Sequence, residues 1–509
     1  MKKHILLVLT MVFALWAEAQ NTPEKQHSLF NFNDLSFINA SLTSLQFVNR
    51  QTDIFSSWRE TKQGMDSLIT QTWNSNNNQW EPAIKYEFYY NDSGINTEAF
   101  ILSWDATNNV WENFAKYTLD YNEHGDLTQF ARYIWSQQWI GQNKTELTYD
   151  ENGNATTSIS YTWDQNTSQW IPNQKHESVY NSNNNVVSSF SYSWDQNTSL
   201  WVNTSKTTYV YNSGQQLILS TRYGWDFNNN TWVNFNKNEY SYDAAGNETL
   251  RYQYDWDATN NVWKNSTRTE HSYDTDGHMT EEIYSEWDPG CNIWAYSEKY
   301  GYIYNTNGKL ITETYSHWDN LGNQWIPNNK TQYTYDTDGN CILETDYNWN
   351  INTNQWVYQE KQIFTYDNSY TFDDLLIPFF FMDESYINYY LQHMLTEYDI
   401  LYWDAANNQW LNQSINILYY SSHETNGLDD INDPEVRVNP NPASDYINFN
   451  MKSVHGPVLI ELFDTQGRLV ISKEASGDVR LWTGNLMRGL YLYRLSYNGK
   501  MQQGKIIIE

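Results

Sequence analysis

Repeated aspartate-rich segments are the residues of this sequence whose types and spacing could bind a metal ion. Asp336-Thr337-Asp338-Gly339-Asn340 and Asp274-Thr275-Asp276-Gly277 resemble fragments of calcium-binding loops. A complete loop of the helix–loop–helix type needs more oxygen ligands and a bidentate carboxylate at a fixed spacing. Neither segment supplies them, and other copies of the same turn read Asp-Ala-Ala-Gly or Asn-Thr-Asn-Gly. We therefore expect turn chemistry, with no metal site and no cofactor; calcium is the one ion that these segments leave open.

Catalytic motifs are missing from the sequence. The ten histidines are scattered, without HExxH or CxxC spacing, so no zinc site is indicated. No GxSxG segment occurs, and no nucleophile has an identifiable partner. The carboxylates fall mostly in repeated turns, whereas a catalytic pair should be singular. We expect a protein that is not an enzyme, with no catalytic residues.

Tryptophan and tyrosine recur in a fixed phrase that could bind sugars. Trp256-Asp-Ala-Thr-Asn-Asn-Val-Trp263 is followed by Tyr273-Asp-Thr-Asp-Gly277, and the phrase begins again at Trp287. Aromatic rings can stack on sugar rings, and many weak copies can combine through avidity. An extracellular glycan is therefore a candidate partner of the array.

These residues must be positioned by a repeated β-hairpin. The leading tryptophans lie 31 residues apart, apart from one interval of 28 and one of 54 that contains an insertion at about 368–398; they are Trp73, Trp104, Trp135, Trp163, Trp194, Trp225, Trp256, Trp287, Trp318, Trp349 and Trp403. A fixed period of this size indicates a repeat array. Each copy reads as two strands and two tight turns, which predicts an antiparallel meander of about 22 strands. The insertion is expected to pack on the aromatic face or at the end of the array.

Alternation along the strands predicts which side chains share a face. Counted from the leading tryptophan, aromatic residues fall at positions −2, 0, +7, +15 and +17. A basic residue occupies position +12 in ten copies, where Lys144 is counted with a correction of three residues because the hairpin of Trp135 is three residues shorter: Lys85, Lys116, Lys144, Lys175, Lys206, Lys237, Arg268, Lys299, Lys330 and Lys361. Simple parity places the aromatic residues on one face and the basic residues on the other. Because an exposed aromatic face of this length would aggregate, we expect the sheet to curl, to coil into a superhelix or to fold back as a sandwich.

Composition and charge support an all-β chain and exclude some partners. Aromatic residues make up 17% of the 509 residues, and 61 acidic against 30 basic residues give a net charge of −31. Such a field repels phosphate backbones, so nucleic acid is not an expected partner. The two cysteines, Cys291 and Cys341, fall in turns at opposite edges of the predicted sheet, and we expect both thiols to be free.

The chain divides into five predicted segments. Residues 1–19 read as a cleaved signal peptide, with cleavage between Ala19 and Gln20. The segments that follow are an N-terminal cap or degenerate repeat at 20–72, the repeat array at 73–421, a linker at 422–435 and a small β-domain at 436–509. The apolar run of the signal peptide is shorter than the ~20 residues that a membrane span requires, and no transmembrane segment is expected.

The last segment resembles the type A C-terminal sorting domain of the type IX (Por) secretion system. The motifs that carry the resemblance are Val438-Asn439-Pro440-Asn441-Pro442, Leu462-Phe463-Asp464-Thr465-Gln466-Gly467-Arg468, Gly489-Leu490-Tyr491-Leu492-Tyr493 and Lys505-Ile506-Ile507-Ile508. The resemblance implies a seven-stranded immunoglobulin-like sandwich and a Bacteroidetes-type cell. It also implies that the type IX machinery is a partner and that the protein travels to the outer cell surface or the extracellular space.

The repeats are similar to YD repeats through Tyr335-Asp336-Thr337-Asp338-Gly339-Asn340 and Tyr242-Asp243-Ala244-Ala245-Gly246-Asn247. That resemblance implies a spiralling β-hairpin array. The leading hypothesis is a secreted or surface-attached, non-catalytic scaffold that is adhesin-like or binds glycan. A structural spacer of the cell envelope and a hydrolase with an unrecognised site are the alternatives.

Overall fold

The computed structural model describes residues 60–381 and 392–425 and, in the C-terminal region, residues 437–439, 446–450, 457–463, 468–477, 479–483, 486, 488–497 and 500–508. The predicted signal peptide, with Ala19 and Gln20, lies outside the described residues. So do residues 20–59 of the predicted cap and residues 426–435 of the predicted linker. The chain forms two compact units, divided between Thr425 and Asn426.

The first unit is a 23-stranded sheet whose long strands follow one another along the chain. Its first half consists of β1 (Glu60–Asn74), β2 (Gln79–Tyr90), β3 (Asn96–Asp105), β4 (Val110–Tyr121), β5 (Leu127–Trp135), β6 (Trp139–Tyr149), β7 (Ala155–Asp164), β8 (Gln169–Tyr180), β9 (Val186–Asp195), β10 (Leu200–Tyr211), β11 (Leu217–Asp226) and β12 (Thr231–Tyr242). The second half consists of β13 (Glu248–Asp257), β14 (Val262–Tyr273), β15 (Met279–Asp288), β16 (Ile293–Tyr304), β17 (Leu310–Asp319), β18 (Gln324–Tyr335), β19 (Cys341–Asn350), β20 (Gln355–Thr371), β21 (Leu375–Leu376), β22 (His393–Asp404) and β23 (Gln409–Thr425).

Two strand boundaries differ from the segments that the sequence suggests. Residues 60–72, within the predicted cap, belong to the first strand of the sheet, β1. Residues 422–425, within the predicted linker, belong to β23, which continues to Thr425.

In most repeats, both turns are stabilised by short polar side chains that bond the local backbone; the shorter turn after Trp135 closes through the Ser136 N–H, which donates to Gln138 O. In the turn after Trp225, Asp226 Oδ1 accepts the N–H groups of Asn228 and Asn229, and Asn230 takes a positive φ of 50°. The rings of Trp225 and Trp232 then pack edge to face across the hairpin, with their centroids 4.9 Å apart. Asp and Asn suit such turns because their side chains mimic a backbone acceptor and they tolerate the left-handed region.

A β-bulge in the second strand of each repeat makes the predicted assignment of faces wrong. In the repeat of Trp225, Tyr223 pairs with Asn234, but Arg222 pairs with Asn236, so Phe235 has no partner of its own. A bulge inserts one residue and reverses the parity of the strand beyond it. Lys237 therefore shares a face with the tryptophan pair, while the tyrosines at +15 and +17 lie on the opposite face.

The sheet closes on itself, which differs from the curled or superhelical meander and from the folded-back sandwich that the sequence suggests. β1 pairs with β2 on one side and with β23 on the other, so neither long strand at the ends of the array is an edge. At this seam the Thr70 hydroxyl donates to Asn416 Oδ1 at 2.7 Å, and Gln63 Nε2 donates to Ser422 Oγ at 3.1 Å. Closure removes the unpaired edges through which sheets aggregate.

The register of the strands fixes their tilt. Leu219 pairs with Glu239 of β12, and Glu239 pairs with Tyr252 of β13. Tyr252 lies two residues beyond Leu250, which is equivalent to Leu219 in the next repeat. A stagger of two residues for every two strands tilts the strands by about 35° from the axis of a closed sheet.

The inner face carries the apolar core of the first unit. We call inner the face that bears this core and outer the face that bears the tryptophan pairs. The buried apolar side chains of this core lie in β1–β6, in β19–β23 and in the insertion, and Tyr117, Phe130 and Tyr398 are among them. None of the buried residues of this cluster lies in β7–β18, where the inner face is polar.

The apolar part of the insertion packs onto this core, on the face opposite the tryptophan pairs. It runs from β20 through a short 3-10 helix (Phe372–Asp374), β21 and a second 3-10 helix (Phe379–Phe381). β21 pairs with β1 in parallel, and Ile377 and Phe381 are buried. Each such side chain contributes roughly 1.5–3 kcal/mol of burial. Residues 382–391 of the insertion lie outside the described residues, and residues 393–395 begin β22.

The second unit has seven described strands in two sheets. β24 (Arg437–Asn439), β25 (Tyr446–Asn450) and β28 (Val479–Trp482) form one sheet. β26 (Val458–Phe463), β27 (Leu469–Ala475), β29 (Gly489–Tyr497) and β30 (Lys500–Ile508) form the other. Buried residues of both sheets, such as Phe449 and Leu462, share one apolar cluster. The immunoglobulin-like topology stays a prediction.

The described residues include no helix that is both long enough and apolar enough to cross a bilayer.

Candidate ligand-binding surface

The outer face presents eleven edge-to-face tryptophan pairs in a row. Each pair spans one hairpin, and its ring centroids lie 4.9–5.1 Å apart: Trp73–Trp80, Trp104–Trp111, Trp135–Trp139, Trp163–Trp170, Trp194–Trp201, Trp225–Trp232, Trp256–Trp263, Trp287–Trp294, Trp318–Trp325, Trp349–Trp356 and Trp403–Trp410. The rings are half-buried, and Trp135 reaches 40% exposure. The row therefore offers apolar ring surface to the solvent.

In nine repeats, a basic side chain contacts an aromatic ring of the next repeat. Lys175 Nζ lies 4.2 Å from the ring centroid of Tyr192 and 5.6 Å from that of Trp201. We call such a cation, with the rings beside it, a rung. Nine of the basic residues at position +12 form rungs: Lys116, Lys144, Lys175, Lys206, Lys237, Arg268, Lys299, Lys330 and Lys361. The contact is an electrostatic attraction between the cation and the ring face.

Some rungs also contain a carboxylate at position +14. Lys175 Nζ lies 2.8 Å from Glu177 Oε1, and the Tyr192 hydroxyl donates to Glu177 Oε2 at 2.7 Å. Burial raises the pKa of Glu177, but the hydrogen bonds from Lys175 and Tyr192 outweigh it, so the pKa is lowered. Burial and the Glu177 carboxylate raise the pKa of Tyr192 to about 12. These rungs are internally neutralised.

The tyrosine at +17 is structural. Its hydroxyl donates to the backbone carbonyl of an earlier strand in all eleven copies, as between Tyr242 and Leu217 O at 2.7 Å. The other donors are Tyr90, Tyr121, Tyr149, Tyr180, Tyr211, Tyr273, Tyr304, Tyr335, Tyr366 and Tyr420. This bond satisfies a backbone acceptor and ties each tyrosine to an earlier strand.

A carboxyl pair lies on the inner face. Asp346 and Glu360 are directly opposite each other on β19 and β20, and the Thr331 hydroxyl donates to Asp346 Oδ1 at 2.6 Å. Burial and the Asp346 charge raise the pKa of Glu360 to about 7, and burial also raises the pKa of Asp346. The sequence analysis missed this pair. The register of the Trp349–Trp356 hairpin, with its bulge counted, would have brought the two residues together.

The aspartate-rich segments that resemble fragments of calcium-binding loops form turns. Asp336 Oδ1 accepts the N–H groups of Asp338 and Asn340, and Oδ2 accepts from Asn340 Nδ2. Within the described ranges, Asp274, Asp276 and His278 form the one group whose ligand atoms could meet on a cation. Asp274 already accepts from the backbone of Asp276 and His278 and bonds the His278 ring, so the turn accounts for this group.

Two serine–histidine contacts occur among the described residues, and neither has the geometry of a catalytic triad. His423 Nε2 lies 3.3 Å from Ser421 Oγ and 2.8 Å from Asp66 Oδ1, so a single ring nitrogen faces both groups. The other contact lies on the inner face. His176 Nδ1 lies 3.0 Å from Ser191 Oγ. His176 Nε2 is buried and has no hydrogen-bond partner among the described residues. A serine nucleophile needs its histidine oriented by a further group, which this histidine lacks.

Both cysteines are free thiols. Cys291 is exposed in a hairpin turn, whereas Cys341 is buried in the core of the first unit.

The residues singled out in the sorting motifs lie along the strands of the second unit, where the structure describes them. Asn439 ends β24, Gly489 begins β29, and Arg468 is exposed just before β27. Tyr491 is buried, and the next residue, Leu492, pairs with Lys505 of β30. The motif residues outside the described part of the chain are Pro440, Asn441, Pro442, Asp464 and Gly467.

Residues 437–509 match the family of secretion system C-terminal sorting domains. The sorting domain implies interaction with the type IX machinery and export to the cell surface or the extracellular space. No curated protein sequence is significantly similar to this chain.

Three solved structures illustrate what the chain is similar to. A protein of unknown function from Bacteroides fragilis shares 26% identity; the match covers 24% of this chain and 89% of that one, with a TM-score of 0.22. TcdB2-TccC3-TEV shares 12% identity over 85% of this chain and 25% of its own, with a TM-score of 0.30. A porin-like protein from Bacteroides uniformis shares 10% identity over 52% of this chain and 95% of its own, with a TM-score of 0.20. The resemblance to YD repeats stays a prediction.

Proposed function

We propose that this chain, which ends in a sorting domain for type IX export, is a non-catalytic, adhesin-like protein whose array binds extracellular polysaccharide. The observation that carries the proposal is the position of the tryptophan pairs. They lie on the face opposite the buried core, half-exposed and at the same place in every repeat. A row of equivalent aromatic surfaces suits a polymer with a repeating unit, because weak contacts at each copy add through effective concentration.

Two further observations support a binding role rather than catalysis. The carboxylates of the repeated turns are occupied by backbone N–H groups, and the His176–Ser191 contact lacks an orienting partner. Identical copies favour multivalency over a single active site. The tyrosine bonds and the rungs hold the array together without a ligand, which is what a structural spacer would need; a spacer is therefore the second candidate.

The test is binding of the secreted protein to a panel of immobilised neutral and charged polysaccharides. We expect binding to at least one neutral polymer and a graded loss when Trp194, Trp225 and Trp256 are replaced by Phe one after another. Phe retains an aromatic ring in the hairpin but offers less surface to a sugar. Trp482→Phe is the matched control, since Trp482 is 49% exposed but lies in the second unit.

A protein that binds no polysaccharide of the panel would support the spacer. Binding that survives all three array substitutions would also contradict the proposal, because the contact surface would then lie elsewhere. Circular dichroism of each variant checks that the strands remain.

A further inference from the structure

The nine rungs of the outer face are not equivalent in charge. In four of them the cation forms an ion pair with a carboxylate at position +14: Lys144 with Glu146, Lys175 with Glu177, Lys237 with Glu239 and Arg268 with Glu270. Lys299 pairs instead with Glu281, at 3.4 Å. Position +14 holds Thr118, Thr208, Gln332 and Ile363 beside Lys116, Lys206, Lys330 and Lys361. Among the described residues, no carboxylate lies within 4 Å of these four amines.

Two of these four rungs have a carboxylate at a neighbouring position of the outer face. Thr118, beside Lys116, pairs with Glu98, and Ile363, beside Lys361, pairs with Asp399. The rungs of Lys206 and Lys330 have no such neighbour. Lys206 pairs with Phe190 and Tyr223, and Lys330 pairs with Thr314 and Tyr347.

The residues around Lys206 and Lys330 are small or neutral. Thr208 faces Ser188 and Thr221, and Gln332 faces Thr312 and Thr345. We call these two rungs open.

An open rung holds a cation against aromatic rings without a compensating negative charge. Lys330 Nζ lies 4.0 Å from the Tyr347 ring centroid and 5.2 Å from that of Trp356. Lys330 is half-buried, and burial lowers its pKa. The ring attracts the cation but leaves its charge in place, so a carboxylate that approaches would form a charge-assisted hydrogen bond.

We propose that Lys206 and Lys330 are subsites for the carboxylates of an acidic, uronate-containing polysaccharide. The proposal rests on the polysaccharide binding proposed above and names the class of sugar. The chain's own Glu177 shows the geometry, because its carboxylate occupies the corresponding place beside Lys175 and accepts a tyrosine hydroxyl as well. We call closed the four rungs in which the cation pairs with a glutamate at position +14. At an open rung, a uronate of the ligand supplies the carboxylate that this glutamate supplies at a closed one.

The net charge of −31 does not prevent this binding at physiological salt. Charges separated by more than about 8 Å are largely screened there, whereas the ammonium group and the bound carboxylate are in direct contact. The closed rungs reduce non-specific attraction of other anions, so an acidic polymer is recognised at two places rather than along the whole row.

The experiment uses the full secreted protein with two forms of one polymer, polygalacturonate and its fully methyl-esterified derivative. The key variant carries Thr208→Glu and Gln332→Glu, which close both open rungs with the residue that the other repeats already accommodate. We expect wild type to bind polygalacturonate at least roughly tenfold more tightly than the ester, since two subsites act together. The variant should lose that preference and bind the ester as wild type does.

A second variant makes the opposite change. Glu177→Gln with Glu239→Gln removes the carboxylates that pair with Lys175 and Lys237 and so opens two closed rungs. We expect it to strengthen binding of polygalacturonate and to leave binding of the ester unchanged. Unaltered preference in the Thr208→Glu/Gln332→Glu variant would overturn the assignment of the subsites. Equal binding of both polymers by wild type would overturn it as well, while leaving the proposed function intact. Failure to bind any polysaccharide would instead count against the proposed function itself.

Discussion

At the scale of residues, the array places glutamate in two opposite electrostatic environments, one on each face of the sheet. Glutamate on the outer face is stabilised by its neighbours, since Glu177 bonds both Lys175 and Tyr192. On the inner face, Glu360 faces Asp346 directly. Like charges directly opposite each other on a sheet are destabilising. The two environments shift the carboxyl pKa in opposite directions, which makes the contribution of each group measurable by titration.

The inner pair makes stability depend on pH. The pKa of Glu360 is raised from 4.5 to about 7, so the folded state disfavours its ionised form. The unfolding free energy should therefore fall as the pH rises from about 4.5 to 7. Glu360→Gln removes the ionisable group and should stabilise the protein at pH 8 by about 1–3 kcal/mol, with little effect at pH 4.5. Urea denaturation at both pH values measures the difference.

Glu177→Gln is the control for that measurement. The pKa of Glu177 is lowered in the folded state, so its ionised form contributes stability above its unfolded pKa. The substitution should destabilise the protein at pH 8. An identical response of the two variants would show that the inner pair is not the cause.

At the scale of elements, the hairpin could be predicted from the sequence, but its faces could not be predicted by parity alone. The spacing of Trp225, Trp232 and the Asp-Asn turn specifies two antiparallel strands, because both turns are fixed by local side-chain bonds. The bulge at Phe235 depends on the register between strands, which alternation does not reveal.

One signal of the bulge is present in the sequence. Proline occurs at position +9 in three copies, as Pro82, Pro172 and Pro327. Inside a sheet proline is confined to edges and bulges. In each of these copies the register shifts just after the proline. Three prolines at the same position of strands that are not edges therefore indicate a bulge. Because the bulge reverses the alternation, they also indicate on which face the lysine that follows lies.

Proline should be tolerated at position +9 of any copy. Asn234→Pro places it beside the bulge of the repeat of Trp225, where we expect a change in stability of less than about 1 kcal/mol. Glu239→Pro lies in the regular ladder opposite Leu219, and the lost hydrogen bond and the strain should cost at least about 2 kcal/mol. Chemical denaturation of both variants compares the positions. Equal losses would contradict the bulge.

At the scale of the first unit, closure was not predictable from the repeat. Each copy specifies only its own hairpin and a stagger of two residues, and a stagger alone is compatible with a superhelix. The seam forms because β1 and β23 pair through their backbones as any two neighbouring strands do. The hydrogen bond from the Thr70 hydroxyl to Asn416 Oδ1 adds to this pairing. The apolar insertion then covers the inner face beside the seam.

Closure predicts how the array responds to deletions. Removal of residues 217–247 takes out one complete repeat, β11 with β12 and both turns, and the remaining strands can close with the same stagger. We expect a folded monomer with a slightly smaller circumference. Removal of residues 60–74 deletes β1 alone and leaves two unpaired edges, which should produce concentration-dependent association. Light scattering after size-exclusion chromatography distinguishes the two outcomes; association of both variants would argue against a closed sheet that adapts by whole repeats.

The uneven distribution of buried apolar side chains on the inner face determines where the sheet opens locally. In a linear array of repeats the terminal copies contact one neighbour only and open first. Here the apolar cluster lies on both sides of the seam, whereas β7–β18 carry polar inner side chains. Amide hydrogens should therefore exchange slowest in the first and last strands and fastest around β11–β14, because local opening follows the density of buried apolar contacts. The strands farthest from either end of the sheet would be its most labile part.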